Sequence, residues 1–123
     1  MIPIYDRKGF SILAHIDAEN LCRASFAGLD LSLANLVEMD LRGADFTNAT
    51  LANGDLRLAN LSGACFRGAN LTDADLSGTN LVGTDLSGAT LTGAIVRGAS
   101  VNLAVMSELD RQGVDVSEVV IAG

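Results

Sequence analysis

Residues 59–78 read ANLSG-ACFRG-ANLTD-ADLSG, four turns of one five-residue phrase: a small residue, a polar one, a large apolar one, and two freer positions that often end in Gly. The phrase runs outward from there in both directions. Leu or Phe recurs every fifth residue at Leu21, Phe26, Leu31, Leu36, Leu41, Phe46, Leu51, Leu56, Leu61, Phe66, Leu71, Leu76, Leu81, Leu86 and Leu91, and Val96, Val101 and Met106 keep the register. Two positions earlier stands a small residue, usually Ala, and between the two a polar one such as Asp30, Asn35, Asp45 or Asn70. Two positions after the large residue, Gly occurs at Gly28, Gly43, Gly63, Gly68, Gly78, Gly83, Gly88, Gly93 and Gly98, so Gly marks a place in the phrase.

A period of five excludes a continuous helix, which repeats near 3.6 residues, and a continuous strand, which repeats at 2. The small and large residues lie two apart, as on one face of an extended segment, but the next small residue comes three later and would flip the phase. A corner at the Gly position, where positive φ is tolerated, resets it. Corners of one sense wind the chain into a coil, and stacked coils pair the backbone of each short segment with the coils above and below. The expectation is a β-solenoid whose core is the fifteen Leu and Phe residues from Leu21 to Leu91. Phe26, Phe46 and Phe66 are spaced by twenty residues, which predicts four repeats per coil and a column of stacked rings.

The triplets Ala34-Asn35-Leu36, Ala44-Asp45-Phe46, Ala59-Asn60-Leu61, Ala69-Asn70-Leu71 and Ala74-Asp75-Leu76 resemble the signature of the pentapeptide repeat family, over roughly residues 20 to 106. The resemblance implies that family's all-β fold, a right-handed quadrilateral β-helix, here of about 4 to 5 coils. One domain over 1–123 is expected, with an N-terminal cap at 1–19, repeats at 20–106 and a C-terminal cap at 107–123.

Both ends leave the pattern, as a solenoid requires, because an open coil exposes core and unpaired edges. Ile2 to Tyr5 and Phe10 to Ile16 flank Asp6-Arg7-Lys8-Gly9, which predicts a β-hairpin cap. Leu29 and Met39 stand in the small inward slot and fit a wider first coil, while Glu19 in the preceding slot marks the core as starting after it. Ser107 is placed to cap a short helix that Gly113 ends, with Val114 to Ile121 as an extended tail. Ile95 and Val105 take slots that are polar elsewhere, giving the last coil outward apolar surface for the tail to cover, or for a second chain in an end-to-end homodimer.

Nothing in the chain reads as catalytic machinery. His15 is the single His, with no ligand-spaced Cys, His or carboxylate around it, and Lys8 is the single Lys, so a Ser or Cys nucleophile has no evident base. Asp73 and Asp75 lack the glycine loop of calcium-binding β-rolls. No catalytic, cofactor or metal residue is assigned, and no cofactor is expected. Cys22 and Cys65 read as free thiols of a reducing, cytoplasmic compartment, since no apolar stretch is long enough for a membrane span or a secretory leader.

The surface therefore carries the function. Net charge is −7, from 15 acidic and 8 basic residues, which disfavours direct nucleic-acid binding. One reading is a non-enzymatic protein-interaction module, monomeric or dimeric, with an unknown protein partner and a patch of Leu33, Val37 and Leu58 beside Arg57 and Arg42. The alternative comes from the family resemblance, since some members mimic duplex DNA and bind type II topoisomerases such as gyrase. Asp45, Asp55, Asp75 and Asp85 would form the acidic surface, with Asp45 and Asp85 on one face and Asp55 and Asp75 on the next. At ~4.8 Å per coil the rod is only ~22 Å long, a length over which B-DNA carries roughly 13 charges.

Overall fold

The structure, a computed structural model, describes residues 2–9, 11–16 and 21–122. Phe10, Glu19 and the start of the repeats at residue 20 lie outside them.

From Leu21 onward the chain advances one coil every twenty residues. Parallel bridges join Ser25 to Asp45, Cys65 and Asp85 in turn, and likewise Asp30 to Thr50, Asn70 and Thr90, Asn35 to Asp55, Asp75 and Ile95, and Asp40 to Asn60, Asn80 and Ser100. These are four faces. The first is centred on Phe26, Phe46, Phe66 and Leu86, the second on Leu31, Leu51, Leu71 and Leu91, the third on Leu36, Leu56, Leu76 and Val96, and the fourth on Leu21, Leu41, Leu61, Leu81 and Val101. All fifteen Leu and Phe centres from Leu21 to Leu91 are buried, as are Val96 and Val101.

Around Phe46 one unit of the coil can be followed bond by bond. The Phe46 N–H donates to the Cys65 carbonyl at 2.7 Å, the Asp45 N–H to the Ala24 carbonyl at 2.9 Å, and the Asn48 N–H to the Arg67 carbonyl at 2.8 Å. The Ala49 N–H closes the corner onto the Phe46 carbonyl at 3.0 Å, a β-turn with its left-handed residue third. Every such corner residue from Arg23 to Gly98 has positive φ, which is why Gly gathers there. Close approach adds a second reason at Gly68 and Gly93, where a Cβ would run into the side chains of Asn48 and Asp73 one coil below. The twenty-residue pitch also stacks the aromatic rings: Phe26 lies 4.7 Å from Phe46 and Phe46 4.9 Å from Phe66, nearly parallel.

At the N-terminus β1 (Ile2–Tyr5) and β2 (Ile12–Ile16) form the expected hairpin, antiparallel, with a register shift between Ile4 and Tyr5. Its edge closes the first coil on the third face, where Tyr5 accepts from the Asn35 N–H at 2.7 Å and the Arg7 N–H donates to Leu33 at 2.6 Å. Ile4 is fully buried, and Leu29 and Met39 pack half-buried against the core.

The C-terminal cap differs from expectation. Regular coil ends with β3 (Ser100–Val101), and α1 spans Leu103–Arg111, so the helix begins four residues before Ser107, which lies inside it. Val105 and Leu109, one helical turn apart, face the last coil and are buried. Val105 is thus core, not outward surface: with Leu103 where a corner residue would stand, the chain turns helical and rotates Val105 inward. Met106 leaves the coil with it. Gly113, with φ of 76°, ends the helix, and β4 (Val120–Ile121) pairs in parallel with β3, Ser100 to Val120 and Val101 to Ile121. That pairing is again a step of twenty, so the helix replaces two repeats without a slip of register.

Candidate interaction surface

The polar slot before each large residue holds the local geometry together. At eleven places between residues 30 and 117 its Asp or Asn side-chain oxygen accepts the backbone N–H two residues on, as Asp45 does from Thr47 at 2.9 Å, Asp75 from Ser77 at 3.0 Å and Asp85 from Ser87 at 3.0 Å. That N–H points out of the coil and has no partner in the ladder. The repeat acids are therefore backbone caps first and surface charges second.

Arginines then neutralise several of them. Arg57 meets Asp55 at 2.7 Å, Arg42 meets Asp40 at 2.7 Å, and Arg67 lies 3.9 Å from Asp85. Asp55 is 6% exposed, covered by Arg57 and held below the usual carboxylate range first by its hydrogen bond to that guanidinium, with Arg7 adding to the field. It is a buried ion-paired acid and no part of a presentable surface. Asp45 and Asp85 are lowered first by the hydroxyls of Thr47 and Ser87 and then by their backbone N–H groups. The faces also correct the expected layout. Asp45 and Asp85 belong to the first face, with Cys65 between them, and Asp55 and Asp75 to the third, so the pairs lie on opposite sides of the core, with a whole face between them either way round.

The apolar candidates sit at corners. Leu33 and Leu58 occupy corner positions with φ of 66° and 64° and are 51% and 58% exposed. They bracket the third face from its two edges, one coil apart, with half-buried Val37 and exposed Arg57 between them. Leu58 leans over Gly78 of the next coil. Arg42 stands on the fourth face with Asp40, beyond the Leu58 corner. Ile95, 49% exposed, points outward as its slot predicts.

The description of pentapeptide repeats matches this chain in 8 copies, over residues 24–63, 40–78, 69–107 and 84–120. The chain belongs to the pentapeptide repeat family. Among solved structures it is similar to the pentapeptide repeat protein Rfr23 from the cyanobacterium Cyanothece 51142, with 38% identity and a TM-score of 0.58 over 58% of this chain and 49% of that one. It is also similar to a pentapeptide repeat protein of the Arabidopsis thaliana thylakoid lumen, with 26% identity and a TM-score of 0.53 over 67% and 53% of the two chains. HetL of the cyanobacterium Nostoc sp. strain PCC 7120, involved in heterocyst differentiation regulation, shares 30% identity over 65% and 48%, at a TM-score of 0.44. The chain spans about half the length of these structures. No curated protein matches it. The family and its solved members make the stack a right-handed β-helix.

Two features of this pentapeptide repeat chain escaped sequence reading. One is the capping role of the polar slot, which its Asp and Asn bias signals. The other is Gln112, whose carboxamide accepts the Leu91 N–H at 3.0 Å and donates to the Ala89 carbonyl at 2.8 Å, so that one side chain replaces the peptide group of an absent coil. No sequence pattern marks it, because the contact exists only once α1 has folded back over the second face. Among the described residues no group of three or more His, Cys, Asp or Glu side chains is placed to hold a metal ion, and no helix is long and apolar enough to cross a membrane. Cys22 and Cys65 form no disulfide.

Proposed function

We propose that the chain is a non-enzymatic protein-binding module acting through the outer surface of its solenoid, a quadrilateral rod of four to five coils. The supporting observation is the pair of corner leucines. An L-residue in the left-handed region costs about 1–2 kcal/mol, and half-exposed side chains recover little of that by burial. Leu33 and Leu58 thus hold apolar groups outward at a cost to the fold, on the two margins of one face. Pentapeptide repeat proteins generally serve as structural or interaction modules, which accords with this reading. The partner is a protein of a reducing, cytoplasmic setting, and the chain acts as a monomer or as an end-to-end homodimer, for which Leu103, Val120 and Ile121 are exposed at the C-terminal end. A DNA-like strip directed at a type II topoisomerase has less support, since Asp40, Asp55 and Asp85 are paired with arginines and, of the four acids expected to form it, the other two, Asp45 and Asp75, lie on opposite faces.

The test is affinity capture from a lysate, comparing wild type with Leu33→Asn/Leu58→Asn at low and high salt. Asn48 and Asn53 already occupy left-handed corners, so this variant keeps the fold. A partner held by wild type and lost by the variant, with an unchanged melting curve, supports the reading. Equal capture by both counts against the corner leucines, and a topoisomerase subunit released by salt favours mimicry.

A further inference from the structure

The last coil is closed unevenly. On the second face Gln112 satisfies Leu91 N–H and Ala89 C=O, and on the fourth face β4 continues the ladder, with Val120 N–H on Ala99 C=O at 2.8 Å. On the first face the ladder groups Leu86 N–H and Thr84 C=O also have no partner among the described residues, but α1 lies over the coil there with Val105 buried against it. The third face has the same two groups open, with no helix packed over them. In the coil below, Leu76 N–H donates to Ile95 C=O and Ala74 C=O accepts from Ile95 N–H. One coil on, residue 115 should do the same for Val96 and Ala94, yet no bridge joins Ile95 to Asp115. Among the described residues, nothing accepts the Val96 N–H or donates to the Ala94 carbonyl, although Val96 is 1% and Ala94 8% exposed.

These two groups border a cleft of about 460 Å³ between the Ile95 segment and the tail. Apolar Ile95 also lines it, where the coil below has Asp75, so the Arg97 N–H lacks the side-chain acceptor that serves its counterparts. The rim carries Asp75, Asp115, Glu118 and Arg97, three carboxylates to one guanidinium, and Arg97 is held by Glu118 at 2.8 Å. Asp75 and Asp115 each spend one oxygen on a backbone cap and keep the other.

A donor and an acceptor spaced as in a strand ladder call for an amide, and Gln112 shows on the adjoining face that one amide fills such a place. We propose that this slot takes an extended segment of a partner protein carrying a Lys or Arg, one residue of which donates its N–H to Ala94 and accepts the Val96 N–H, with the cation between Asp75 and Asp115. The proposal rests on the reading of the solenoid as a protein-binding module and names a partner chemistry for one part of it.

The experiment is a titration of the ¹⁵N-labelled full chain with the probe peptide acetyl-Thr-Lys-Thr-amide, and with acetyl-Thr-Glu-Thr-amide as its acidic counterpart. In the free protein the Val96 amide should exchange with solvent about 100-fold faster than that of Leu76, as an unpaired ladder position does. The lysine peptide should shift the Val96 and Arg97 amides and slow Val96 exchange about tenfold, and the glutamate peptide should bind about fivefold more weakly. Asp75→Asn/Asp115→Asn retains both caps, since Asn serves in the same slot at Asn35, Asn60 and Asn70, and should weaken the lysine peptide about fivefold. Val96 as protected as Leu76 would mean that the chain's own Val114–Ser117 segment fills the slot, and would overturn the proposal. So would shifts that bypass Val96 and Arg97, or equal binding of the two peptides. Any of these failures leaves the capture experiment on Leu33 and Leu58 untouched.

Discussion

Replacing the middle ring of the Phe column should cost more than replacing its upper end. Phe46 is fully buried between Phe26 and Phe66, with centroids 4.7 and 4.9 Å away, whereas Phe66 has one ring neighbour and then Leu86 in the same column. Leu fits this column without backbone change, as Leu86 shows, so Phe→Leu removes ring contacts and leaves a small void. The lost burial is about 1 kcal/mol at either place, and each stacked pair adds about 0.5–1.5 kcal/mol beyond burial. Phe46→Leu loses two pairs, for about 3 kcal/mol in all, and Phe66→Leu loses one, for about 2 kcal/mol. At ~4 °C per kcal/mol for a chain of this size, the melting temperature should fall by about 12 and 8 °C. Urea and thermal unfolding followed by far-UV circular dichroism measure both. Equal losses for Phe46→Leu and Phe66→Leu would refute the reasoning, since the column would then hold by burial alone.

Gln112→Ala should remove about 1–3 kcal/mol by leaving Leu91 N–H and Ala89 C=O without partners, with faster exchange at the Leu91 amide; unaltered exchange there would show the carboxamide to be dispensable. Stability should also fall in acid. Asp30, Asp40, Asp45, Asp55, Asp85, Glu108 and Asp115 are all held below their ordinary range by hydrogen bonds, those of Asp40, Asp55 and Glu108 chiefly to arginine. Groups lowered on folding stabilise above their unfolded pKa, so melting temperature should be flat from about pH 7 to 5 and drop below about pH 4. A curve level to pH 2 would contradict this.

The regular part of the fold was open to sequence reading because its constraint is local and repeated. Every Leu or Phe centre from Leu21 to Leu91 reports the same inward position, and the spacing of three phenylalanines reports the length of a coil. The hairpin was legible for the same reason, through apolar runs about a Gly turn. The C-terminal cap was not. Val101 and Met106 keep the five-residue register on paper, but Val105 and Leu109 also satisfy a helical spacing, and only contact with the coil below decides between them. The acidic residues misled for a related reason. Composition counts charge, whereas Asp55 is spent on Arg57 and the Arg57 N–H, inside the surface it was expected to decorate. Opposite and adjoining faces cannot be told apart until the order of corners around the core is followed.

The helix that stands in for two repeats without disturbing the step from Ser100 to Val120 shows what kind of edit this chain tolerates. Length here is quantised. Removing residues 46–65 as a block would bring every remaining corner, cap and column back into line one storey lower, with the hairpin and the helix still over the same sides. Removing five would leave each repeat locally perfect and rotate the two caps a quarter turn against each other, so that surfaces built from both ends of the rod would be dismantled by an edit that harms no single repeat. Variation in such a chain is therefore free in steps of a full storey and costly in any smaller one.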